Sequence, residues 1–124
     1  MMTNIYQLLT SLLGIPVWQD FIPEGESKPA ASYLVITREN ERVLKGKTIL
    51  RRINVQVSIS SDKSRLETED YCNKLRAIDG SISLDNFKYI SILSDTDEPR
   101  DDSSDPVYTT NIELQLTPKQ TQDN

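Results

Sequence analysis

The sequence contains no histidine at all. That absence removes Ser-His-Asp and Cys-His nucleophile systems, the HExxH metal site and the side chain best suited to proton transfer near neutral pH. There is a single cysteine, Cys72, so no internal disulfide can form and no second thiolate is available for a structural zinc. Its place is the core. No apolar run approaches the ~18 residues that would cross a bilayer, and the amino end lacks the basic start and apolar stretch of a secretory signal. Synthesis in the cytosol, with no membrane partner, is the expectation. Glycine is scarce, at four residues, and none forms a GxGxxG, P-loop or GxSxG pattern. No cofactor, metal or catalytic residue is therefore assigned, and an enzyme is not expected.

What remains is an ordinary globular composition, 36% hydrophobic and 27% charged, in 124 residues. A chain of that length buries about two-thirds of its unfolded surface around one core, so residues 1–117 read as one domain. Residues 118–124 have nothing to bury and read as a disordered tail. The net charge of −5 argues against tight non-specific DNA binding, which needs a dense Lys/Arg surface.

Ile5, Leu8, Leu9, Leu12 and Leu13 lie on one face of a helix over residues 4–13, capped by Thr3 or Asn4 and stopped by Gly14 and Pro16. Residues 15–22 read as a short extended segment containing Val17, Trp18 and Phe21. A polar loop follows with Glu24, Glu26 and Lys28. Residues 33–37 are a β-branched and aromatic run. Residues 49–60 alternate Ile53, Val55, Val57 and Ile59 against polar neighbours, with Arg51 breaking the alternation so that the strand's start extends beyond the core. Between them, residues 38–47 read as a charged hairpin arm with its tip near Lys45 and Gly46.

Asp62 or Ser64 caps a second helix, Ser64 to Glu67 matching a capping box, and its apolar stripe is Thr68, Tyr71, Cys72, Leu75 and Ile78. Residues 82–84, 87–94 and 107–116 read as strands. Residues 95–106, rich in Asp, Ser and Pro, read as a solvated loop. The fold class is α+β: one layer of mostly antiparallel sheet packed by two helices, with a projecting hairpin arm.

The acidic cluster from Asp95 to Asp105 does not fit an EF-hand loop, because Arg100 and Pro106 stand where glycine and glutamate are required. Glu39 and Glu41, of the same parity on a charged strand, point into water and lack the burial that would make them an acid-base pair. Lys45, Lys47, Arg51 and Arg52 form the basic concentration, read equally as a site for phosphate or an acidic protein surface and as a solvated strand end.

In layout the chain resembles the tail terminator, or tail completion, proteins of long-tailed phages. The likeness is carried by the opening helix, then Ile15-Pro16-Val17-Trp18 leading to Pro23-Glu24-Gly25. It continues through Tyr33-Leu34-Val35-Ile36, the strand from Arg52 to Ile59 with its apposed helix, and a late strand pair around residues 94–99. The chain departs from the family pattern at Pro29-Ala30-Ala31-Ser32-Tyr33 and at Ser104-Asp105-Pro106-Val107. The resemblance implies a hexameric ring at the head-tail junction of a virion. Such a ring caps the tail tube, stops its polymerisation and meets the head connector or head completion protein. DNA passes through it without specific binding. Contacts are then expected from Glu24, Glu26, Lys28, Glu39, Glu41, Arg42, Lys45, Lys47, Arg51, Arg52, Asp97, Arg100 and Asp101. The alternatives are a head completion protein and a small cytosolic ligand-binding or regulatory domain.

Overall fold

The computed structural model describes residues 2–42, 49–84, 87–99 and 107–118. The elements in chain order are α1 (Met2–Leu13), β1 (Val17–Gln19), β2 (Ala30–Arg42), β3 (Ile49–Ser61), α2 (Arg65–Arg76), β4 (Ile82–Leu84), β5 (Phe87–Asp97) and β6 (Tyr108–Pro118). The strands form one sheet in the order β1-β2-β3-β6-β5-β4, antiparallel except where β1 runs parallel to β2. The α+β class with a mixed, mostly antiparallel layer and two helices matches the sequence reading.

Period-2 alternation explains why the sheet buries one face only. Ile53, Val55, Val57 and Ile59 of β3 and Ile112, Leu114 and Leu116 of β6 are inaccessible to solvent. They meet Ile5, Leu8, Leu9 and Leu13 of α1 and Cys72 and Leu75 of α2 in one core. Phe87 and Ile90 of β5 and Tyr33 of β2 complete it. Gly14 adopts φ 69°, the left-handed stop that ends α1. That helix begins at Met2, so Thr3 and Asn4 lie inside it and do not cap it.

Ser64 does cap α2: its Oγ accepts the Glu67 amide at 3.2 Å. The expected reciprocal half of the capping box is absent, because the Glu67 carboxylate accepts instead from Ser61 Oγ at 2.5 Å. Ser61 is thereby fixed at the β3–α2 corner. β6 runs through Pro118, which pairs with Phe87, one residue past the expected end of the domain. Residues 119–124 lie outside the described residues.

One strand follows the expected hairpin arm, as far as the described residues go, and another is longer than its sequence signal. β2 continues to Arg42, pairing residue by residue with β3 down to Arg42 opposite Ile49. β5 continues to Asp97, so Asp95, Thr96 and Asp97 pair with Ile112, Asn111 and Thr110 and are not part of a loop. The cause is tertiary. Arg76 holds Asp95 at 3.0 Å, Thr110 donates to Asp97 Oδ1 at 2.7 Å, and Arg65 donates to the carbonyls of Glu98 and Thr109 at 2.7 and 2.8 Å. Short-range composition carries none of these partners.

Candidate functional site

No element covers the back of the sheet among the described residues, and its middle is built from polar side chains, uncharged except for Glu113. Ser58 donates to Asn111 at 2.6 Å, Gln115 to Asn54 at 3.2 Å, and Asn111 to Glu98 at 2.7 Å. An open depression of about 260 Å³ lies here, lined by Gln56, Ser94, Thr96, Asn111, Ile112 and Glu113. It is neither apolar nor enclosed, which is unlike a small-molecule pocket. Among the described residues no group of three or more His, Cys, Asp or Glu is placed to hold a metal ion.

The two margins of the sheet differ from its middle. β1 covers β2 only at Ala31, Ser32 and Tyr33, and no described strand pairs with the outer side of residues 34–42. β4 covers β5 only near Phe87 and Tyr89, and backbone bonds from Gly80 and Ser81 extend that cover to Ile90. Asp79 accepts the Ile92 amide, after which residues 93–97 are open on that side among the described residues.

Large exposed apolar side chains collect at these margins. Phe21, Leu34 and Ile36 flank one, and Ile82, Tyr89 and Leu93 the other; Tyr6 and Leu66 are exposed on the helices, and β6 and residues 51–61 of β3 carry none. Both margins also contain a β-bulge, at Val35/Thr37 in β2 and at Ile92/Ser94 in β5. A bulge turns the extra residue out of alternation. The extra residues are Ile36 and Leu93, 44% and 46% exposed.

Charge divides by end of the sheet. β6 pairs with β3 only as far as Ile53, so the β2–β3 ladder beyond it projects past the rest of the sheet. This is the base of the expected arm, and it holds Glu39 opposite Arg52 and Asn40 opposite Arg51. Arg38, Glu39 and Arg51 are exposed and Arg52 half-buried. Glu41 and Arg42 continue the ladder opposite Leu50 and Ile49. β5 runs antiparallel to β6 and ends at the opposite end of the sheet, where Asp95, Asp97 and Glu98 are exposed. Glu24 and Glu26 are exposed and Lys28 half-buried in the loop that brings the chain back to the start of β2. Lys45, Lys47, Arg100 and Asp101 lie outside the described residues. The expected contact residues therefore do not converge. They occupy an arm at one end, an acidic strand end at the other and a loop beside β2.

Sequence reasoning missed Leu34, Ile36 and Leu93. The signal was there, since Tyr33-Leu34-Val35-Ile36 is apolar at both parities and cannot turn every side chain into a one-sided core. Trp18 and Phe21 are aromatic residues that read either as core or as interface anchors; Trp18 is half-buried on edge strand β1, and its indole Nε1 has no hydrogen-bond partner. Phe21 is 70% exposed and is not a core residue.

Among the described residues three groups have shifted ionisation. Burial pushes the Cys72 thiol up to about 12, against the opposing pull of Arg76. Tyr33 is raised by burial and then by Asp20. Arg76 is raised chiefly by its hydrogen bond to Glu69. None sits in a cleft with a second reactive group, so these shifts belong to packing and not to catalysis.

No family model and no curated protein matches the sequence. The fold is similar to that of a chain in the virion of a native gene transfer agent (GTA) particle, with a TM-score of 0.58 and 14% identity over 97% of this chain and 95% of that one. At that identity the likeness is one of fold, and it spans both chains almost end to end.

Proposed function

We propose that the chain is a virion structural protein of the tail terminator type, a non-enzymatic subunit that assembles into a hexameric ring. The ring closes the tail tube at the head-tail junction and presents a surface to the head connector. The observation that carries this reading is the fold shared over nearly the whole length with a chain of a virion particle. The open sheet margins support it, because a ring subunit needs unlike surfaces that meet copy to copy. The back of the sheet speaks against the rival ligand-binding domain, since its depression is open and polar.

The test adds purified protein to tail tubes and to growing tube subunits, followed by electron microscopy and light scattering. The expected outcome is a ring at one tube end and arrest of elongation. Binding to isolated head connectors with no effect on tubes would replace the reading with a head completion protein. A monomer that engages neither would refute both.

A further inference from the structure

We infer that the end of β5, residues 93–98, is a latch: charged side chains of α2 hold it on β6, and it opens about a hinge at Leu93 while the core stays folded. This goes beyond the ring reading and holds whether or not the chain assembles. β5 changes character at Leu93. Its first half gives Phe87 and Ile90 to the core, with Ile92 packed against it, whereas every residue from Leu93 to Glu98 is exposed. Release of the second half therefore takes no side chain of its own out of the core. Two structural marks fall at the same place. Asp79 Oδ1 accepts the Ile92 amide at 2.8 Å and pins the strand just before the change. The register then shifts between Ile92 and Ser94, and a bulge interrupts the ladder, so bending concentrates at Leu93.

Aspartate is a poor strand former, so what holds the second half must come from its neighbours. Arg76, the last residue of α2, pairs with Asp95 at 3.0 Å. Arg65, the first, donates to the Glu98 carbonyl at 2.7 Å and lies 3.7 Å from Asp97. From β6, Thr110 donates to Asp97 and Asn111 to the Glu98 carboxylate, each at 2.7 Å. Both ion pairs are reached by solvent, the Asp95 and Asp97 side chains being 44% and 52% exposed, so salt weakens them. Opening does not orphan the buried hydroxyls beneath. Thr110 turns its proton to Thr68, 3.0 Å away, and Thr68 already donates to the Arg65 carbonyl. What opening uncovers is the β5-facing side of β6 from Thr110 to Glu113. Two arginines thus control access to a strand edge inside the sheet.

The test is amide hydrogen exchange of the full chain, followed by NMR in urea below the unfolding transition. The Glu98 amide bonds to the Thr109 carbonyl, and by alternation the Thr96 amide also faces β6. Both should exchange with a shallow urea dependence, the mark of local opening, while Val55 and Val57 of β3 show the steep slope of global unfolding. Added salt should lower the protection of Thr96 and Glu98 severalfold. The double variant Asp95→Asn with Asp97→Asn keeps an acceptor for Thr110 but removes both charges. It should lower that protection roughly fivefold and blunt its salt response. Ile5→Val, in the core under α1, should lower protection at Val55 and Val57 and leave Thr96 and Glu98 unchanged. A shared urea slope at all four amides would overturn the inference, because the strand end would then open only with the whole fold. Local opening that ignores both salt and the double variant would overturn it equally, leaving a strand end that frays without a clamp.

Discussion

Arg65 ties together parts of the chain far apart in sequence. Its guanidinium donates to the carbonyls of Thr109 and Glu98, lies 3.7 Å from Asp97 and stacks 5.4 Å from the Tyr108 ring centre. A planar fork serves two carbonyls at once, which a single ammonium does not. Arg65→Ala should lower stability by about 1–3 kcal/mol in urea unfolding, and Arg65→Lys should recover less than half of that. Cys72 yields a pH prediction. Its folded pKa of about 12 exceeds the ordinary 9.0, so the folded state holds the proton more tightly. The stabilising contribution is complete below pH 9 and is lost as pH rises toward 12. Unfolding free energy measured across that window should fall more steeply for the native chain than for Cys72→Ala. Equal slopes would contradict the assignment.

The arm is an element whose start could be read in advance: Arg51 interrupts the alternation of β3, and pairing with β6 stops at Ile53. The core lies inside that limit. Deleting residues 40–46 should therefore leave the thermal unfolding midpoint close to that of the parent, while light scattering shows impaired assembly of the proposed ring. Unchanged assembly would remove the arm from the interface. The helices and the inward faces of β3 and β6 were legible because their periodicity is set by burial and repeats over several turns or residues. The end of β5 was not. Asp95 and Asp97 look like loop residues by composition, and only Arg76, Thr110 and Arg65, held close by the fold, make an acidic strand stable there. The margins were half legible, since apolar residues at both parities marked Leu34 and Ile36 as surplus to the core but could not say that a bulge would turn Ile36 outward.

At the scale of the whole molecule, the net charge of −5 is unevenly spread: exposed Arg38, Glu39 and Arg51, of mixed sign, lie on the projecting ladder at one end, and the carboxylates of Asp95, Asp97 and Glu98 stand at the other. A solvent-exposed attraction between such charges is screened over about 8 Å at physiological ionic strength. Ring formation should accordingly weaken as salt rises, with the apparent assembly midpoint moving to higher protein concentration in a light-scattering titration. Assembly that strengthens with salt would point to an interface governed by apolar burial.

The bare back of the sheet has a consequence for any long polyanion brought against it. Some of its amides and hydroxyls are already engaged with one another, Ser58 with Asn111 and Gln115 with Asn54, and Glu113 adds a repelling charge among them. With Glu113 among them, such a wall attracts a phosphate less than a Lys/Arg surface would.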